Sequence, residues 1–201
     1  MQRQEAIISK GINWRIFWIY VALVAIGFIA IFSVEHKPNE KILATITTLK
    51  SNYAKQLLFI GIGFITGALI LLTDSKFFTA TANLSYAFGI ALMLATFVIG
   101  KDIKGSKSWI PIGFMNLQPA ELCKIFVALA LSKYLSRPET DFSKTKSQFI
   151  AATIALFPAV LSILQHETGL ALVYFSFIIV LYREGLSPFY LIIAAYLGAL
   201  A

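Results

Sequence analysis

Residues 84–135 read LSYAFGIALMLATFVIG-KDIKGSKSWIPIGFMNL-QPAELCKIFVALALSKYL. An apolar run, Leu84 to Ile99, gives way to a polar, lysine-bearing stretch, Lys101 to Gln118. Apolar residues then resume from Ala120 to Leu135. Each flank approaches the roughly 20 residues needed to cross a bilayer core of about 30 Å. Neighbouring Ser, Thr, Tyr and Trp extend such runs through the membrane interface. The alternation recurs at Ile16 to Phe32, Leu57 to Leu72, Phe149 to Leu164 and Leu170 to Tyr182, and a last run opens at Pro188. This pattern predicts an all-α fold, a polytopic transmembrane helix bundle of about six full helices plus a truncated seventh.

Composition points the same way. Of 201 residues, 58% are hydrophobic and 13% charged, with a mean hydropathy of +0.78. Soluble domains run about half apolar and a quarter charged, so this balance argues against both a soluble enzyme and a disordered chain. A net charge of +7 would suggest nucleic acid in a soluble protein. Here most of the cations fall between apolar runs, where they orient the chain and meet lipid, and no nucleic-acid partner is expected.

Placing the N-terminus inside gives the inner segments nine Lys and Arg and the outer segments seven. That margin is narrow under the positive-inside rule. Lys133 to Lys146 is the best single inner marker. The run after Arg15 is long for a signal peptide, and no A-x-A site follows near Ser33, so a retained first helix is expected. Cys123 is the only cysteine, which excludes an intrachain disulfide and makes it a small packing residue. His36 and His166 lack metal-ligand spacing, and no metal is expected. No motif names a cofactor.

Ser187 and Pro188 read as an N-cap and first helical position. Residues 188–201 are too few to cross a bilayer, and no polar anchor closes them. The expectation is one transmembrane domain over residues 1–201, the N-terminal part of a longer protein. A short re-entrant or interfacial helix is the other reading.

Charges within apolar runs cost about 2.5–3.5 kcal/mol each on insertion scales, so each marks a candidate site. Glu121 and Lys124 lie three apart on one helix face, in the favourable order. Gln118-Pro119-Ala120-Glu121 also sets Pro at the first helical position and a carboxylate in the first turn. The pair is either a structural ion pair or a direct participant in binding. Glu167, after His166, is either in an exposed turn or a carboxylate facing a polar cavity. Lys101, Lys104 and Lys107 could meet a phosphate, with Gly105 and Ser106 admitting backbone amides. Trp109 and its apolar neighbours would then lie in the interface beside an anionic head group. An ordinary aromatic-anchored loop is the other reading. Gly63 and Gly67 form a G-x-x-x-G that suits close helix packing, and Pro158 predicts a kink.

Two stretches carry a family resemblance. Gly105-Ser106-Lys107-Ser108-Trp109-Ile110, then Gln118-Pro119-Ala120-Glu121-Leu122-Cys123-Lys124-Ile125, resembles the SEDS family (shape, elongation, division and sporulation), the group of RodA, FtsW and SpoVE. Leu164-Gln165-His166-Glu167-Thr168-Gly169-Leu170-Ala171-Leu172-Val173 looks like that family's Q-P-D-x-G-T-A-L-V. Ser108 before Trp109 is more like the RodA branch than the FtsW branch, which usually has Arg there.

The resemblance implies a ten-helix protein of the bacterial cytoplasmic membrane with its N-terminus inside. It implies polymerisation of lipid II into glycan strands on the outer side, with a class B penicillin-binding transpeptidase as partner. It also places Lys101 to Gln118 outside. Under it, Lys107 and Trp109 shape the outer segment, Gln118 belongs to the second motif, Glu121 and Lys124 organise the core, and Glu167 lines a cavity. His166 stands where the family has Pro, and Glu167 where it has Asp. The aspartate that the family would use as catalytic base falls after the seventh helix, beyond residue 201, so no residue of this chain is assigned as catalytic. A transporter of lipid-linked precursor and a non-catalytic scaffold of wall synthesis are the alternative functions.

Overall fold

The computed structural model describes residues 13–36, 49, 51–103, 105–113 and 115–200. Two compact units make up the chain, Met1–Asp74 and Ser75–Ala201. Each is taken by itself.

The first unit holds α1 (Trp14–Glu35) and α2 (Asn52–Leu72). Asn13 caps α1, its Oδ1 accepting from the backbone N–H of Arg15 at 3.1 Å and Ile16 at 3.4 Å. Ser51 caps α2, accepting from Ala54 N–H at 3.3 Å. These caps satisfy donors that a helix start leaves without partners. The Glu35 carboxylate joins the two helices, accepting from Asn52 Nδ2 at 3.1 Å and Tyr53 N–H at 3.0 Å. A carboxylate at a helix N-terminus is also favoured by the macrodipole. Tyr20 meets Phe64 edge-on at 5.9 Å between ring centroids. A Cβ added at Gly63 or Gly67 would meet nothing within 4 Å. The G-x-x-x-G is therefore not packed among the described residues, contrary to the expected close approach.

The second unit begins with α3 (Ser75–Ile99). The polar stretch that follows is not a loop. It folds as β1 (Lys101–Ile103), β2 (Ser106–Ile112) and β3 (Met115–Leu117), antiparallel in the order β1-β2-β3. Lys101 pairs with Trp109, and Ile110 with Leu117. The reason lies in the alternation Ser106-Lys107-Ser108: the serines are buried and the lysine exposed, which is the period of a strand. Gly105 and Gly113 make the turns at φ +86° and +58°, a region that glycine enters without a Cβ clash.

Then come α4 (Pro119–Leu135), α5 (Thr145–Leu164), α6 (Thr168–Phe175), α7 (Phe177–Arg183) and α8 (Pro188–Leu200). The sixth apolar run is two short helices meeting at Ser176, whose hydroxyl donates to the Val173 carbonyl at 2.6 Å. Back-bonding of this kind bends helices. The α8 start is as expected, with Phe189 N–H reaching Ser187 Oγ at 3.4 Å.

Pro158 lies inside α5 and supplies no N–H for the Ile154 carbonyl four residues earlier. The Tyr86 hydroxyl, from α3, donates to that carbonyl at 3.2 Å instead. The core of the unit gathers Met93, Cys123, Val127, Ala159 and Tyr174, all fully buried, from α3, α4, α5 and α6. A Cβ at Gly89 would lie 2.8 Å from Phe126 and 3.0 Å from Cys123 Sγ, so α3 and α4 pack closely there.

Among the described residues, four helices, α1, α2, α3 and α5, are long and apolar enough to cross a membrane. Large apolar side chains such as Ile16, Leu23, Leu69 and Leu84 are exposed along them, which suits lipid as the surrounding solvent. The chain is a multi-pass, helical membrane protein with a small added sheet.

Candidate functional site

Helix α5 stops in a way that aims the next residue. His166 N–H donates to the Ile163 carbonyl at 3.0 Å, and Glu167 N–H to the Ser162 carbonyl at 2.9 Å. This is the Schellman pairing, and His166 occupies its left-handed position at φ +60°. Glycine is the usual occupant, and the chain uses it where α7 ends, at Gly185 with φ +114°. The proline that the family resemblance places at 166 could neither take this φ nor donate the bond. Glu167 then serves as N-cap of α6, its carbonyl accepting from Ala171 N–H at 3.1 Å.

The junction is anchored from below. Gln165 is 2% exposed, and its amide donates to the Met93 carbonyl at 2.9 Å and to Thr96 Oγ1 at 2.6 Å. Gly100 follows α3 directly. A Cβ there would sit 2.1 Å from the Thr96 carbonyl oxygen and 2.9 Å from that of Lys107, so β2 passes close over the helix end. Ser106 Oγ lies 2.8 Å from Ser108 Oγ and 2.9 Å from the Gln165 carbonyl oxygen. Its one proton serves either acceptor.

These contacts deliver the carboxylate. Ser108, fully buried, donates to Glu167 Oε1 at 2.7 Å, and Gln118 Nε2 donates to the same oxygen at 3.1 Å. Gln118 is the N-cap position of α4 but makes no side-chain cap bond. Its amide is spent on Glu167. Glu167 Oε2 has no hydrogen bond among the described residues. Glu167, Gln118, Trp109, His166 and Ser106 line an open cleft of about 640 Å³.

The other candidates divide. Lys107 is exposed on β2. Glu121 and Lys124 pair with each other at 2.8 Å, with Lys124 a quarter and Glu121 half exposed, and the cleft is lined without them. Tyr174, fully buried on α6, donates to the Ala120 carbonyl at 2.7 Å and ties α6 to the first turn of α4. The phosphate cradle imagined around Gly105 is not available, because the Gly105 N–H donates to Asp102 Oδ1 at 2.9 Å and Ser106 turns inward. Lys104 lies outside the described residues.

Sequence reasoning missed the joint role of Ser108 and Gln118 on Glu167, and the anchor formed by Gln165 and Thr96. The available signals were the strand-period serines and a glutamine closing an apolar run.

Comparison with known proteins places these features. A family model described as cell cycle protein, for FtsW, RodA and SpoVE, matches residues 14–201. A probable peptidoglycan glycosyltransferase FtsW of Buchnera aphidicola is 26% identical over 181 residues, covering 88% of this chain and 44% of its own. One from Thiomicrospira cyclica is 29% identical over 148 residues, covering 74% of this chain and 36% of its own. The chain thus spans less than half the length of these relatives. Among solved structures, the rod shape determining protein RodA of Thermus thermophilus aligns with a TM-score of 0.75 and 25% identity over 94% of this chain and 58% of its own. A chain of a peptidoglycan synthase complex shares the fold at 24% identity and a TM-score of 0.70, covering 94% and 52%. With its two signature stretches meeting at Glu167 and the family model matching nearly end to end, the chain belongs to the FtsW, RodA and SpoVE family of cell cycle proteins, the SEDS family.

Proposed function

We propose that the full-length protein is a RodA-like peptidoglycan glycosyltransferase. It polymerises lipid II for cell-wall elongation, in the bacterial cytoplasmic membrane with its N-terminus inside. The observation that carries this reading is the Glu167 carboxylate, held in an open cleft by Ser108 and Gln118. The names of the curated relatives support the reaction class. Ser108 before Trp109 supports the RodA branch. The share of those relatives that the chain spans supports residues 1–201 as part of a longer protein, whose N-terminal transmembrane part we take them to be.

In the reaction, the acceptor sugar's 4-hydroxyl oxygen attacks the anomeric carbon of the lipid-linked donor. The bond from that carbon to the pyrophosphate oxygen breaks, undecaprenyl pyrophosphate leaves, and the hydroxyl proton passes to a base. General-base help needs a carboxylate within hydrogen-bond reach of that hydroxyl. In this reading the base is an aspartate beyond residue 201. The residues of this chain orient. Glu167 and Gln118 border the substrate cleft, Lys107 and Trp109 shape its outer segment, and Glu121 with Lys124 fixes the start of α4. A class B penicillin-binding transpeptidase is the proposed partner, and the fold shared with a peptidoglycan synthase complex supports that pairing.

The test is glycan synthesis from lipid II by the purified full-length protein with its partner. Polymer is expected. Folded protein that makes none overturns the assignment, and transbilayer movement of lipid II without polymer would establish the transporter instead.

A further inference from the structure

Helices α3, α4 and α5 run between two ends of the second unit. One end holds the sheet and the Glu167 cleft. The other holds the start of α3, the end of α4 and the start of α5. We propose that this opposite end binds an anionic phospholipid, with the headgroup phosphate at Lys133 and Arg137 and an acyl chain laid against Ile150 and Ile154. The proposal rests on the fold and not on the glycosyltransferase reading.

A groove of about 330 Å³ opens there between the three helices. Its lining is mixed. Arg137, just past the end of α4, and Tyr134, in its last turn, lie at the helix ends, with Asn83 and Tyr86 two to three turns into α3. Ile150 and Ile154, one and two turns into α5, are apolar. A cation at the helix end beside an isoleucine wall suits a lipid at the level where phosphates lie.

Arg137 lines this groove, and Lys133, one turn earlier on α4, borders the neighbouring hollow; neither is neutralised by a carboxylate among the described residues. Lys133 Nζ has only the Ala80 carbonyl oxygen, at 3.5 Å, the outer limit of a hydrogen bond. Neither Lys133 nor Arg137 forms an ion pair among the described residues. Asp141 in the following loop is already engaged, by the Ser143 hydroxyl at 2.6 Å and Lys144 at 3.4 Å. These donors hold its carboxyl below the usual carboxylate range, the Ser143 hydroxyl foremost. The α4 C-terminus supplies about half a negative charge, against two full positive ones. The hollow that Lys133 borders, of about 390 Å³, lies beside Ser75, Lys76 and Thr79 at the start of α3. Basic pockets between transmembrane helices are where anionic head groups are recognised.

The experiment is native mass spectrometry of the full-length protein with phosphatidylglycerol and phosphatidylcholine of matched chains. Wild type is expected to retain phosphatidylglycerol preferentially. Each cation is worth about fivefold, from about 1 kcal/mol apiece, so K133Q/R137Q should lose at least tenfold in phosphatidylglycerol association with phosphatidylcholine unchanged. The control K146Q, on an exposed cation in the first turn of α5, should stay within twofold of wild type. Glycerol 1-phosphate, the head group without chains, should compete poorly. Retained preference in K133Q/R137Q overturns the proposal, as does equal loss in the control or full competition by glycerol 1-phosphate. If the double variant does not fold, a salt titration of wild type decides. The preference must fall steeply as ionic strength rises, and a preference indifferent to salt also overturns the proposal.

Discussion

Glu167 receives two hydrogen bonds on one carboxylate oxygen, from Ser108 and Gln118. Bonds to a charged group are worth about 1.5–3 kcal/mol each. If the carboxylate must be oriented for turnover, S108A should lower polymerisation about tenfold to hundredfold, mainly in kcat, and S108T should restore most of it. An unchanged kcat in S108A would remove the serine from the mechanism. His166 makes a separate case. Its left-handed φ of +60° costs a non-glycine residue about 1–2 kcal/mol. H166G should raise the thermal unfolding midpoint in detergent. H166P should lower it sharply, because it forbids that φ and removes the bond to the Ile163 carbonyl, a loss of about 3 kcal/mol or more.

Among the elements, α5 shows how a proline is accommodated inside a membrane helix. Pro158 leaves the Ile154 carbonyl without its helical donor, and Tyr86 from α3 replaces it. Y86F should therefore destabilise by about 1 kcal/mol. In a P158A background the helix supplies its own N–H, and the same substitution should cost little. A double-mutant cycle by thermal or denaturant unfolding reads the difference, and additive effects would show that the two residues do not act together. The sheet is the element that apolar periodicity did not anticipate. Its lysines and glycines look like loop composition, and only the Ser106-Lys107-Ser108 alternation hints at a strand. Its place is fixed by tertiary contact. G100A, forced against the Thr96 and Lys107 carbonyls, should cost about 1–3 kcal/mol and disturb β2.

For the whole molecule, α4 separates two ends that must face opposite sides of a membrane if α3 and α5 span it. Single cysteines at Ile112, in β2, and Ser143, in the loop before α5, should react with a membrane-impermeant thiol reagent from opposite sides. The N-terminus-inside orientation predicts Ser143 inside. The native Cys123 is buried and should stay silent. Labelling of both sites from one side would overturn the orientation and the assignment of spans together.

The sequence by itself determined the helices, because burial in lipid requires long apolar runs whose backbone groups are satisfied internally. The predicted runs and the observed elements coincide within a few residues at α4 and α5 and at the end of α3, which begins nine residues before its predicted run, at Ser75, and Pro119 and Pro188 open their helices as their fixed φ requires. Sequence also determined membership of the family, through the residue types at 105–125 and 164–173. What only the tertiary structure decided is which polar groups meet. Ser108 and Glu167 are 59 residues apart in sequence, and Gln118 and Glu167 are 49 apart. Their hydrogen bonds depend on α3 and α5 ending at the same level, on Gly100 admitting β2 against the helix end, and on a left-handed His166 turning the chain. Apolar periodicity reports which face of a helix leaves water. It carries no information on where two helix ends bring a serine and a carboxylate within 2.7 Å.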